Sequence, residues 1–183
     1  MMTWSHRTGL WWASWRLRRR ELFTVDIRSA LSRGGTALVL LPDDEELLKC
    51  GLEACSVLSS WFQPIHLMVL SQSSTAPDVT GTGHPTLSLP NAINRWGLPY
   101  RPVIRRVAEI APQVAISLHP EFHLASAYLC VLSGAPLRIG FSGPADGYFN
   151  LQYIWRDIGG ADATDHFRGF LAMLADLRSS ALV

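Results

Sequence analysis

The sequence predicts an α/β fold: a Rossmann-like three-layer sandwich on a mostly parallel sheet, plus an N-terminal amphipathic helical arm. Three observations lead there. Continuous apolar runs of five or six residues (36–41, 65–70, 114–118 and 137–141) have the length and continuity of strands buried on both faces. Between them lie stripes of apolar residues at a 3.6-residue period, the mark of helices with one buried face. The two patterns alternate along the chain, and parallel strands joined by crossover helices produce that alternation.

The chain has 183 residues, nearly half of them hydrophobic, which suits one domain with a substantial core. The charge is uneven. Residues 1–33 hold seven arginines against Glu21 and Asp26, a net +5, and the other 150 residues net −4. The division is therefore a basic arm, 1–33, and a Rossmann-like domain, 34–183. In the arm, Trp4, Trp11, Trp12, Trp15, Leu22 and Phe23 fall roughly on one helical face. Arg16, Arg19 and Arg20 fall beside or opposite it. Tryptophan and arginine are common anchors at protein interfaces, so the arm predicts a protein partner. An anionic membrane surface is the alternative docking site, and nucleic acid is not expected. The apolar residues of the arm precede its charges, the reverse of a signal peptide. No run of about 18 apolar residues occurs. A cytoplasmic location is expected, with peripheral contact to the inner membrane face as the variant.

The elements follow in order. Thr36–Leu41 is the first strand. Pro42-Asp43-Asp44 ends it and opens a helix with acids in its first turn, where the helix dipole favours them. Leu47, Leu48, Gly51, Leu52, Cys55, Leu58 and Trp61 form that helix's stripe, and Pro64 closes the segment. Ile65–Leu70 is the second strand. A long Ser-, Thr-, Gly- and Pro-rich loop then holds one short strand near Thr86–Leu89. Pro102 opens a helix to Ile110 with Val103, Val107 and Ile110 inward and Arg101, Arg105 and Arg106 solvated. Val114–Leu118 is a strand, and a helix from Glu121 to Ser133 stops at Gly134. Leu137–Phe141 is a strand. Tyr148–Trp155 alternates, with Phe149, Leu151, Tyr153 and Trp155 on one face, as in a half-buried edge strand. Asp165 caps the final helix, with Phe167, Phe170, Leu171, Leu174 and Leu177 inward.

In such sheets ligands bind beyond the C-terminal strand ends. Here those ends are Pro42–Glu45, Ser71–Ser74, His119–Glu121 and Phe141–Gly143, so His119, Glu121 and Ser142 are the candidate ligand-binding residues. His119 and His123 are spaced to share a metal on a continuous helix, but Pro120 separates His119 from the helix proper, and no metal is predicted. Arg138, inside an apolar strand, must point out or pair. Cys50, Cys55 and Cys130 are odd in number and lie among apolar residues, as core residues do in a reducing compartment. No Gly-x-Ser-x-Gly elbow, Walker loop or Cys–His arrangement is present, and Gly81-Thr-Gly83 lacks the strand, helix and third glycine of a phosphate loop.

Three segments resemble the N-terminal lobe of heptosyltransferase-like glycosyltransferases, a family-9, GT-B group. They are V-A-I-S-L-H at Val114–His119, S-G-A-P-L-R-I-G-F at Ser133–Phe141, and D-H-F-R-G-F-L-A-M-L at Asp165–Leu174. The resemblance spans about residues 36–180 and implies one Rossmann-like lobe of a two-lobed scaffold. In that family the donor nucleotide-sugar sits mainly in the C-terminal lobe, and a Gly-Asp pair in the first loop supplies the base. This chain ends before such a lobe and has Pro42-Asp43-Asp44 in place of the pair. The expectation is therefore a non-catalytic binding or assembly subunit, without a cofactor, docked through its arm. The alternative is a glycosyltransferase half that acts on a lipid-linked or envelope sugar acceptor beside a separate donor lobe, with Asp43 or Asp44 as base.

Overall fold

The four apolar runs are strands, joined by two short edge strands. The ranges are β1 Ala37–Leu41, β2 Ile65–Leu70, β3 Thr86–Leu89, β4 Val114–Ser117, β5 Leu137–Phe141 and β6 Leu151–Tyr153. The structure, a computed structural model, describes residues 11, 13, 25–74, 77, 79, 82–142, 147–154 and 162–180. The strands form one sheet in the order β3-β2-β1-β4-β5-β6, and each neighbouring pair is parallel. This is the 3-2-1-4-5-6 order of doubly wound folds, with its reversal of direction between β1 and β4.

Helices cover both faces. Helix α1 (Ile27–Ser32), α2 (Glu45–Leu58) and α5 (Ala163–Ser179) lie on one side; α3 (Arg101–Ile110) and α4 (Leu124–Leu132) lie on the other. Strand periodicity divides the core accordingly. Val39, Leu41, Ile116 and Ile139 join Leu48, Leu58, Phe167 and Phe170, whereas Leu38, Leu40, Met68 and Ala115 join Val103, Val107, Ala125 and Leu129. All five residues of β1 are buried, as a central strand covered on two faces requires. Leu31 is fully buried in the first layer, so α1 contributes to the core although its charge groups it with the N-terminal arm.

The local sequence explains the helix boundaries, with two adjustments. The fourth helix begins at Leu124, with His123 as N-cap, not at Glu121; Pro120 and the bends after it delay helical geometry. The last helix is capped by Asp162, whose carboxylate accepts the N–H of Asp165, so Asp165 sits in the first turn instead of at the cap. Gly134 stops α4 at a φ of 76°, as its left-handed freedom allows.

The edge beyond β5 differs from a simple alternating strand. Only Leu151–Tyr153 pairs there, after the Asn150 N–H has donated to the Arg138 carbonyl. Phe149 lies over Gly140, where any Cβ would meet its ring. It therefore packs in the α3–α4 layer, opposite Leu151 and Tyr153. Sequence alternation puts all three on one face, but the chain crosses the sheet edge before pairing begins. Arg138 donates its Nε–H to the Asn150 side-chain oxygen at 3.2 Å.

Candidate functional site

In doubly wound folds the ligand crevice lies at the reversal point, here between β1 and β4 at the C-terminal edge of the sheet, and the register decides which residues meet there. Leu41 pairs with Val69, so Asp43 and Ser71 follow at one level. Leu40 pairs with Ser117, and Ile116 with Ile139, so His119 and Ser142 follow on neighbouring strands. Ser71, Asp43, His119 and Ser142 thus share one rim.

On the α2 side of the rim, Ser71 is buried and its hydroxyl donates to Asp43 Oδ2 at 3.0 Å. The same hydroxyl contacts Ser73 Oγ at 2.9 Å. Asp44 turns the other way. Its carboxylate accepts the N–H groups of Glu46 at 3.1 Å and Leu47 at 3.0 Å and caps α2. A pyrophosphate would need those amides at the first helix of such a fold; here a carboxylate occupies them, with Glu45 and Glu46 alongside.

On the α4 side, four polar side chains form a hydrogen-bonded chain. Ser117 Oγ lies 3.3 Å from His119 Nδ1. His119 Nε2 lies 3.4 Å from Ser126 Oγ, which lies 2.8 Å from His123 Nδ1. The two imidazoles stack with centroids 4.4 Å apart and planes 12° from parallel. Ser117 is 3% exposed and Ser126 is fully buried. His119 itself is half-buried. Burial, and the charge of His123 beside it, hold that imidazole well below the usual histidine range. A neutral imidazole has one donor and one acceptor nitrogen. The chain of bonds can therefore run in either direction, exchanging tautomers along Ser117–His119–Ser126–His123.

The candidate residues separate as follows. His119 is at the centre of the network. Ser142 is half-buried on the rim, and its N–H continues the β5–β6 ladder by donating to the Tyr153 carbonyl at 2.8 Å. Glu121 is exposed and makes no hydrogen bond or ion pair with a described residue. Asp43 joins Ser71, whereas Asp44 is a cap. Trp11 is helical and 70% exposed; Trp12, Trp15, Arg16, Arg19 and Arg20 lie outside the described residues. Among the described residues, no three His, Cys, Asp or Glu side chains gather as metal ligands.

Sequence reading missed Ser117 and Ser126. Each leaves a faint signal: a serine inside the apolar run Val114–Leu118, and a serine three residues after His123, one helical turn on. Cys55 and Cys130 are buried away from any nucleophile's role; burial pushes both thiols up to about 12, with Arg138 opposing the rise at Cys130. No helix among the described residues is long and apolar enough to cross a membrane. No protein-family model matches the chain, and no curated protein matches it.

Proposed function

We propose that this chain is a non-catalytic, glycosyltransferase-like binding or assembly subunit, docked on a protein partner through its tryptophan-rich N-terminal arm. The observation that carries the reading is the contrast between Trp11 and Ala13. Ala13 is fully buried among Leu98, Leu124, Tyr128 and Tyr148, beside α4. Trp11, two residues earlier and also helical, is 70% exposed. Two helical positions are about 200° apart around the axis, so a segment seated on the domain by one side offers a large indole on the other. An exposed tryptophan on a seated helix is well suited to anchor an interface. The carboxylates of the first loop support the same reading, because Asp44 is spent on helix amides and Asp43 on Ser71. The proposed place of action is the cytoplasm, with contact to the inner membrane face as the variant.

The test uses the full chain. Tagged native protein should elute from cell extract in an assembly larger than itself, and Trp11→Ser should release it as free chain with an unchanged melting temperature. Equal recovery of the assembly with both forms would sink the docking role. Flotation with anionic vesicles covers the membrane variant.

A second reading has one observation in its favour: Asp43 lies on the crevice rim, where ligands of doubly wound folds bind. In it the chain is a glycosyltransferase half, and Asp43 takes a proton from an acceptor hydroxyl. Calorimetric titration with nucleotide-sugars separates the two. Heat of binding that Asp43→Asn leaves intact, with transfer that it abolishes, would favour the enzyme.

A further inference from the structure

Helix α3 carries three arginines on its solvent side, and its electrostatics are unfavourable as they stand. Arg101 and Arg105 are four residues apart, so they share a face and repel. Arg101 opens the helix, at the end where the dipole is positive and anions are favoured. No acidic residue occupies the first turn, and the N-cap Tyr100 makes no side-chain capping bond. Glu109 is spaced three and four residues from Arg106 and Arg105. Even so, the ion pairs among the described residues are Lys49–Glu45 and Arg168–Asp165, and neither involves α3.

A merely solvated face would be convex. Here the exposed Arg101, Pro102, Arg105, Arg106 and Glu109 border a half-open surface hollow of about 300 Å³. That is the lower end of the range for small-molecule pockets. The charged lining sums to +2, which matches a phosphomonoester near neutral pH, at about −1.5 to −2. Guanidinium forks bind phosphate oxygens in pairs, which lysine cannot do.

We propose that this α3 hollow binds a small phosphate-bearing anion, with Arg101, Arg105 and Arg106 as its ligands. The site is separate from the strand-end crevice and does not depend on the docking role of the arm. Bound anion neutralises the arginine repulsion and complements the helix start, so the ligand supplies the negative charge that the sequence omits from the first turn.

Inorganic pyrophosphate, titrated into the full chain at low ionic strength, is the probe. Calorimetry should show saturable binding at one site, weakened by added salt. Arg105→Gln should weaken it by about tenfold or more, the scale of a lost charged hydrogen bond. Glu109→Gln should tighten it, and Arg28→Gln, exposed on another helix, should leave it unchanged. Because Arg105 is exposed, its variant should melt at or slightly above the native temperature without ligand and gain less from pyrophosphate. Equal affinity in the native and Arg105→Gln chains would overturn the proposal. So would absence of binding at millimolar pyrophosphate, or binding confined to long polyanions such as heparin, which would make the face a macromolecular surface.

Discussion

His119 holds a neutral imidazole against solvent water, and this has a consequence for stability. Its folded pKa lies below the ordinary value of 6.5 because burial and His123 disfavour the charged form. The unfolded chain therefore takes up a proton first as pH falls. The stabilisation is fully present above about pH 6.5 and is lost as pH falls through the folded value. Denaturant titrations between pH 8 and 5 should show stability declining on the acid side, with His119 contributing at most about 1.4 kcal/mol per pH unit. His119→Gln should flatten that part of the curve; an identical slope in the variant would count against the assignment. Ser126 offers a second check. Its buried hydroxyl touches both rings, so Ser126→Ala removes the group that links the two imidazoles. A loss of about 1–3 kcal/mol is expected, read as a lower denaturation midpoint at constant m-value. A shift below about 0.5 kcal/mol would mean that the network adds little.

Among the elements, α2 is the one whose start bears on function. Asp44 satisfies two of its first amides, and Glu45 and Glu46 follow in the favoured charge sense. Asp44→Ala should cost about 1 kcal/mol, typical for a lost N-cap, whereas Asp43→Ala removes one hydroxyl contact and should cost less. Thermal unfolding of the two single variants distinguishes them; a larger loss from Asp43 would reverse the roles assigned to the pair. The helix also passes close to the strand below it. At Gly51 a Cβ would come within 2.9 Å of Leu41 Cδ2, so a larger residue there would make the Leu41 side chain shift.

At the level of the whole molecule, an aromatic cluster ties the late elements together. Phe141 stacks on Phe170 at 5.1 Å and meets Tyr153 and Phe167 edge-on at 5.7 and 5.8 Å. It thereby joins β5, β6 and α5, and places the Ser142 rim relative to His119. Phe141 is 2% exposed, and Phe141→Ala should destabilise the domain by about 3–5 kcal/mol. Hydrogen exchange should speed up first in β6 and α5, since β6 is a three-residue edge strand held by one neighbour. Uniform loss of protection across β1 and β2 instead would show that the cluster is not a local clamp.

From β1 onward the type and order of the elements were legible in the sequence, because burial on two faces demands continuous apolar strands and burial on one face demands a 3.6-residue stripe; the six-residue α1 was not, since it is too short to show such a stripe. Asp44 as a helix start and Gly134 as a stop were legible for the same local reason: capping depends on a few adjacent residues. The site was legible only in part. His119 and Ser142 stood out because they follow strands, but nothing local brings Ser126 to His119 or Ser71 to Asp43. Those contacts join residues on different elements, and the parallel register and the seating of α4 create them. The α3 arginines are the opposite case: their exposure and their shared face follow from helical spacing alone.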